Sequence, residues 1–228
     1  MKRYLIQPAH ISLITILVII FTQLLGCASK TVDPENYSGF LSDYSKLQLV
    51  ETESGAEVLR WISEDVTPEN YKVLIEKTIH YPQPEPTELV SREILTQLTS
   101  LIDLKLDAAV RKSYQVVTEP GVGVMRIKPA ITGVAESMEG ISTLEVLPVG
   151  LVIGVTKAAL GTRDRDVAIY FELQAEDSLS GEVLGGAVRK GQGEQLENDK
   201  TQLTIEHLDD MITVWGKDAS AVFGRSEQ

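Results

Sequence analysis

Thiols are almost missing from this chain. Among 228 residues there is one cysteine, Cys27, so no internal disulfide can form and no set of thiolates can hold zinc or an iron–sulfur cluster. Histidine is nearly as scarce: His10, His80 and His207 are the full set. A triad needs a base beside its nucleophile, and no G-x-S-x-G elbow presents a serine. The acidic pairs Glu64-Asp65 and Asp209-Asp210 lack the D-x-D-x-D-G loop that wraps calcium and read as solvated charge. Glycine-rich stretches at 121–124 (GVGV) and Gly181 to Gly186 do not lead into a helix with a phosphate-cradling pattern, so they read as turns. Basic residues are also in short supply, 21 against 33 acidic ones. Such a surface repels phosphate and excludes nucleic-acid binding through a basic footprint. No catalytic residue, metal ligand or cofactor is therefore assigned, and the chain reads as a non-enzyme. Paired-carboxylate hydrolysis of an envelope polymer stays open as the rival, because such carboxylates can be distant in sequence.

What the chain does have is one long apolar run at its start. Lys2 and Arg3 precede Ile11 to Leu25 (ISLITILVIIFTQLL), which carries no charge and is followed by Gly26 and Cys27. Positive start, apolar middle and small residue form the layout of a secretory signal peptide. A permanent anchor needs ~20 apolar residues, and this run is shorter and is interrupted by Ser12, Thr15 and Thr22. Leu24-Leu25-Gly26-Cys27 resembles the lipobox of bacterial lipoproteins. The resemblance implies a diacylglyceryl thioether on Cys27, cleavage after Gly26, and a fatty acyl chain such as palmitate on the new amino terminus. Alkylation would also remove the hazard of a lone thiol in an oxidising compartment. Stable anchoring takes about two chains, so three are ample. Residues 1–26 are then a cleaved signal peptide, 27–36 the lipidated cysteine with a polar tether, and 37–228 a periplasmic domain. Ala28 stands where inner-membrane lipoproteins of enterobacteria tend to carry aspartate, which implies the periplasmic side of the outer membrane.

Cleavage would leave 19 basic and 33 acidic residues, a formal charge of −14, since only Lys2 and Arg3 depart. That charge suits a body held off anionic headgroups. With 43% hydrophobic residues, the remainder can bury one core. Tyr71 to Ile79 alternates as a strand. Thr87 to Ser113 predicts a long amphipathic helix capped by Thr87, with Val90, Ile94, Leu98, Leu101, Ile102, Leu106 and Ala109 on one face. Strands follow at Tyr114 to Glu119 and Met125 to Val134, joined through Pro120-Gly121. Pro129 marks an edge or a bulge in the second of them. Val167 to Glu176 and Glu182 to Gly191 predict a hairpin around DSLSG, kinked at Gly185 and Gly186. Asp199 and Gln202 resemble a capping box for a last helix that carries Leu203, Leu208, Met211, Ile212, Trp215, Ala219 and Val222 and ends at Gly224. The expected fold is α+β: a single domain with an antiparallel or mixed sheet covered by two long amphipathic helices, in the order strand, helix, strands, strands, helix.

"YSGFLSDYSKLQ" (Tyr37 to Gln48) and "GTRDRDVAIYFELQAEDSLSGEVLGG" (Gly161 to Gly186) resemble a family of bacterial lipoproteins of unassigned activity, DUF3313. The resemblance covers most of the mature chain and carries over no catalytic residue. Tyr37, Phe40, Leu41, Tyr44 and Leu47 recur at helical spacing and predict a short helical stripe, either packed on the core or facing a ligand. Leu144 to Gly161 is nearly all apolar and is either buried or an exposed contact for a membrane or partner. Arg163 and Arg165, just beyond it, either neutralise Asp164 and Asp166 or grip an anionic group. The candidate contacts for a partner or ligand are thus Tyr37, Phe40, Tyr44, Arg163 and Arg165. The leading expectation is a lipid-anchored envelope protein that binds another envelope component, most simply a protein. A carrier of a small apolar ligand is the third reading, with 144–161 lining its pocket.

Overall fold

The structure is a computed structural model that describes residues 32, 34, 37–81, 91–138, 165–197 and 201–224. The signal segment, Cys27, Thr87, Leu144 to Gly161, Arg163 and Asp199 lie outside the described residues. In chain order the elements are β1 (Gln48–Glu51), β2 (Glu57–Ile62), β3 (Lys72–Ile75), β4 (Ile79–His80), α1 (Arg92–Val110), β5 (Val116–Val117), β6 (Val124–Met138), β7 (Arg165–Asp177), β8 (Val183–Gln192) and α2 (Asp209–Phe223), with one 3₁₀ turn, Glu206–Leu208, before α2. The strands form one mixed sheet in the order β1-β2-β8-β7-β6-β3-β5, and β4 also pairs with β6. β3, β4 and β5 make parallel ladders, while the rest of the sheet is antiparallel. The described residues thus form an α+β domain built on a single sheet with two helices.

The long strands alternate, and alternation assigns the faces. Val167, Ile169, Phe171, Leu173 and Ala175 of β7 point to the side where the helices lie. Leu95, Leu98 and Ile102 of α1 and Met211, Ile212 and Trp215 of α2 share one core with Ile131, Val167 and Ile169. Leu106 and Val110 extend that layer over Met125, Ile127 and Ala175. Each fully buried aliphatic side chain contributes about 1.5–3 kcal/mol, so both helices are held mainly by this layer. The closest approach is at Gly191 of β8. A Cβ there would sit 2.5 Å from Trp215 Cζ2 and 2.6 Å from Met211 Sδ.

One ion pair crosses the same layer. Arg189 Nη2 on β8 donates to Asp218 Oδ2 on α2 at 2.6 Å, and the two side chains are 10% and 3% exposed. Asp218 also accepts from Ser54 N and Ser54 Oγ, at 3.2 and 2.8 Å, which ties the β1–β2 turn to α2. Burial lowers the Arg189 pKa, against the opposing pull of Asp218. Burial pulls Asp218 upward, yet the hydrogen bonds from Ser54 and Arg189 together outweigh it and hold the carboxyl below its ordinary value.

Several expected elements differ. The first helix starts at Arg92 with Ser91 as its cap, whose side chain accepts from Ile94 N at 3.2 Å; Ser91, not Thr87, caps it. The strand expected over Tyr71 to Ile79 is split into β3 and β4, and Pro129 is the reason. Glu76 N donates to Ile127 O and Tyr81 N donates to Ile131 O, so the backbone of residue 129 faces the same neighbour. A parallel ladder needs an N–H from that position, and proline has none. The chain lifts away at 76–78, where Thr78 N and Oγ1 donate to Asp103 Oδ1 of α1 at 2.8 and 2.7 Å. Pro129 therefore sits in an interior strand at a ladder gap, not on an edge. A separate irregularity falls between Ile131 and Gly133. β5 is only Val116–Val117; Tyr114 instead is buried, with its hydroxyl donating to Val66 O at 3.3 Å.

The last helix begins at Asp209, so Asp199 and Gln202 do not cap it. Leu203 enters the core from non-helical chain. Thr204 N donates to His207 Nδ1 at 3.1 Å, and the residue 207 carbonyl accepts from Glu194 N at 2.7 Å. These bonds hold 204–207 against the end of β8 and delay the helix. Gly224 closes it. Among the described residues, neither helix is long and apolar enough to cross a membrane.

Candidate functional site

The second face of the sheet carries the aromatic segment. Residues 37–47 contain no helix, so the expected helical stripe is replaced by an irregular strap. Tyr37, Phe40, Tyr44, Leu47 and Leu59 pack on Leu41, Ala135, Ala168, Tyr170 and Val188. The polar positions of β7 explain the shape. Tyr44 Oη accepts from Gly39 N and Leu41 N at 3.0 and 3.2 Å and donates to Glu172 Oε2 at 2.7 Å. Ser42 N and Oγ donate to Gln174 Oε1 at 2.8 and 2.9 Å, and Gln174 Nε2 passes the chain of bonds to Glu176 Oε2 at 3.0 Å. A helix would consume the N–H groups that these side chains take. Burial raises the Tyr44 pKa, with the nearby Glu172 carboxylate adding to it.

Tyr37 stacks on Tyr44 with ring centroids 4.3 Å apart, and Phe40 meets Tyr81 edge-on at 5.5 Å. Three of the expected contact residues therefore come together, and the strap uses them to hold itself on the sheet. Tyr44→Phe would leave two backbone donors and the buried Glu172 short of a partner. We expect a loss of about 1–3 kcal/mol, read as a lower urea midpoint with an unchanged slope. Arg165 lies elsewhere, at the start of β7. Its guanidinium donates to Thr201 O and its backbone bridges to Leu196, so it holds those two residues beside the start of β7.

The two remaining histidines stand apart. His80 ends β4, and burial lowers its pKa against a hydrogen bond to the Leu95 backbone. His207 is engaged by Thr204. Among the described residues, no group of three or more His, Cys, Asp or Glu is placed to hold a metal ion.

The far end of the sheet offers a different surface. The turn at 118–123 and the β7–β8 turn project side by side, tipped by Val122 and Leu179, which are 94% and 62% exposed. Their backbones are fixed. Gly123 and Gly181 adopt φ of 66° and 75°, the left-handed region that glycine enters without cost. Asp177 Oδ1 accepts from Leu179 N, Ser180 N and Ser180 Oγ, and the backbone bonds from Ser180 and Leu179 lower its pKa. Ser178 joins the turns: its N donates to Val124 O at 2.9 Å, while its Oγ accepts from Gly121 N and donates to Gly121 O, both at 3.1 Å. Arg126 braces the join, reaching Ser178 O and Glu176 Oε1 at 3.2 Å each. In the sequence both tips read only as turns, because their proximity depends on the β6–β7 register.

The fold and its strapped second face define a compact α+β domain fed by an N-terminal segment along one face. Residues 36–219 match the profile of the family described as "Protein of unknown function (DUF3313)", and the chain belongs to that family. The "Uncharacterized lipoprotein YdcL" of Escherichia coli (strain K12) is 33% identical over 198 residues, covering 86% of this chain and 89% of that protein. Among solved structures, a PelC dodecamer from Paraburkholderia phytofirmans aligns at 11% identity over 72% of this chain and 92% of its own, with a TM-score of 0.35. Protein XCC0632 from Xanthomonas campestris aligns at 9% identity over 72% and 88%, with a TM-score of 0.36.

Proposed function

We propose that this protein is a lipid-anchored, non-enzymatic component of the bacterial cell envelope. It is tethered through Cys27 to the periplasmic side of the outer membrane, and it presents one end of its sheet to a partner protein. The lipobox and the lipoprotein relative support the anchor. The observation that carries the partner reading is the pair of rigid apolar tips, Val122 and Leu179, on the end of the sheet away from the tether.

Direction follows from the strap. Val32 is 5% exposed and packs in the cluster that holds Ala135 and Ala168. Ser38 lies at Glu172 and Ser42 at Gln174, so the chain runs along β7 toward its end. Cys27 is five residues before Val32, which allows a span of at most about 18 Å. The near end of the body then stands off the headgroups by no more than that span. The nine steps of β7 from Ala168 to Asp177 place the tips about 30 Å further along the sheet. Two apolar side chains fixed in water at that height cost less when covered. In this reading Tyr37, Phe40, Tyr44 and Arg165 order the body rather than touch the partner.

A photo-crosslinking residue placed at 122 or 179 in living cells tests the proposal. Leu104 of α1, 63% exposed, is the control position. A discrete protein adduct from 122 and 179 but not from 104 is expected. The absence of an adduct from both tips, or equal labelling from 104, contradicts it.

A further inference from the structure

The sheet has two covers, and they rest on different chemistry. The helices lie over Val167, Ile169, Phe171, Leu173 and Ala175 of β7, side chains that water would meet at a cost. The strap lies over the alternate residues Glu172, Gln174 and Glu176, which are 2%, 6% and 7% exposed. A face that is always covered is ordinarily apolar, because a buried polar group gains nothing over one in water. A polar face under a cover can be wetted again at little cost, so the strap rests on a footing suited to its removal.

The attachment is of the same kind. Residues 37–47 belong to no strand or helix, and side chains bind them to the sheet. Glu172 accepts from Ser38 N at 3.4 Å and from Tyr44 Oη at 2.7 Å, and Gln174 accepts from Ser42 N at 2.8 Å. Lifting the strap breaks no rung of the sheet ladder. Glu176 keeps Arg126 and Lys128 at 3.2 and 3.4 Å, Gln174 keeps Glu176, and Glu172 takes water. The apolar ground beneath includes two alanines, Ala135 and Ala168, beside Tyr170 and Val188. The helix-side core stays shut.

We propose that the strap is a releasable length of tether, seated on β7 at rest and lifted from it as one piece when the body is pulled away from the membrane. The effect on reach rests on Cys27 being the anchor. With the strap seated, Val32 is five steps beyond Cys27, a span of at most about 18 Å. With it lifted, the chain from Cys27 to Gln48 has 21 steps and spans at most about 76 Å. The tips at Val122 and Leu179 can then stay on a partner whose distance from the bilayer changes. The strap runs along β7, so a pull on its near end loads its bonds together and frees it in one step. Local opening of this kind leaves the rest of the fold intact.

Single-molecule force measurement tests this on the mature chain, with Cys27→Ser leaving it unlipidated, so that neither the anchor nor the partner decides the result. The load is applied between the amino terminus and a handle on residue 122, which is 94% exposed as valine. A reversible first step is expected below the force that unfolds the domain. It should lengthen the molecule by at most about 58 Å, the sixteen steps from Val32 to Gln48 fully extended. Tyr44→Phe should lower the force of that step and leave the second transition where it was. A Cβ at Gly186 would lie 3.3 Å from Leu41 Cδ1, so Leu41→Cys can be bridged to Gly186→Cys by a short bifunctional maleimide. The bridge should shorten the step to at most about 32 Å, the nine steps from Val32 to Leu41. A single transition in which strap and domain give way together overturns the proposal, as does a Tyr44→Phe variant that weakens both transitions alike. An undiminished first step in the bridged chain places the release elsewhere and overturns it too.

Discussion

Replacing Asp218 by alanine is expected to destabilise the domain by about 3–5 kcal/mol, the cost of leaving a buried charge without its partner. Asp218 is 3% exposed and takes hydrogen bonds from Arg189 and from both Ser54 donors, and its loss leaves the buried guanidinium without its counter-charge. The urea midpoint should fall while the slope stays fixed. Removing both charges in Arg189→Met with Asp218→Leu should recover most of the loss, because well-packed apolar replacements of buried pairs are often neutral. The sign of the pH effect is also set. With its folded pKa depressed, Asp218 contributes stability above its ordinary value of 3.8 and loses it as pH falls through the folded value. Asp218→Asn should flatten that acid limb. A single-variant loss below about 1 kcal/mol would mean that Arg189 finds water instead.

Gly191→Ala is expected to cost about 1–3 kcal/mol or more through overpacking. The added methyl would meet the Trp215 ring at 2.5 Å and Met211 at 2.6 Å, and a ring wedged between β7 and α2 has little room to move. The same substitution at Gly216 should be close to neutral. There the new Cβ meets Lys105 Cδ, Cβ and Cγ at 3.2, 3.3 and 3.5 Å, and the Lys105 Cβ is fixed to α1, so a small shift between the helices offsets the gain of about 0.5–1 kcal/mol that alanine has over glycine inside a helix. Thermal unfolding of the two variants side by side checks both. A neutral Gly191→Ala would show that α2 does not rest on β8 as described.

Periodicity carried much of this fold. The apolar steps of α1 place Leu98, Ile102, Leu106 and Ala109 in the core, and DSLSG does turn β7 into β8. What it missed has physical causes. The β1–β2 hairpin is short and lies at the sheet edge, with Leu49 57% exposed, so its alternation is faint, although Gly55 between LQLVE and EVLRWI was a usable turn signal. The even positions of β7, Tyr170, Glu172, Gln174 and Glu176, look like a wet face; they are buried because the strap from 37–47 covers them. No local pattern could reveal a cover contributed by chain more than a hundred residues earlier. Asp218 was detectable in one respect. It interrupts the apolar stripe of Met211, Trp215 and Val222, and a charge in such a stripe asks for a partner. Which of the 21 basic residues answers is fixed only by the β8 register.

The chemistry of residue 27 decides whether the domain is membrane-bound. Protein extracted with detergent from its own membranes and digested should yield an amino-terminal peptide beginning at Cys27, heavier by a diacylglyceryl group and one further acyl chain. The Cys27→Ser variant should lack that mass and leave the membrane fraction. A native peptide beginning at Met1, or an unmodified thiol at Cys27 in membrane-bound protein, would contradict it.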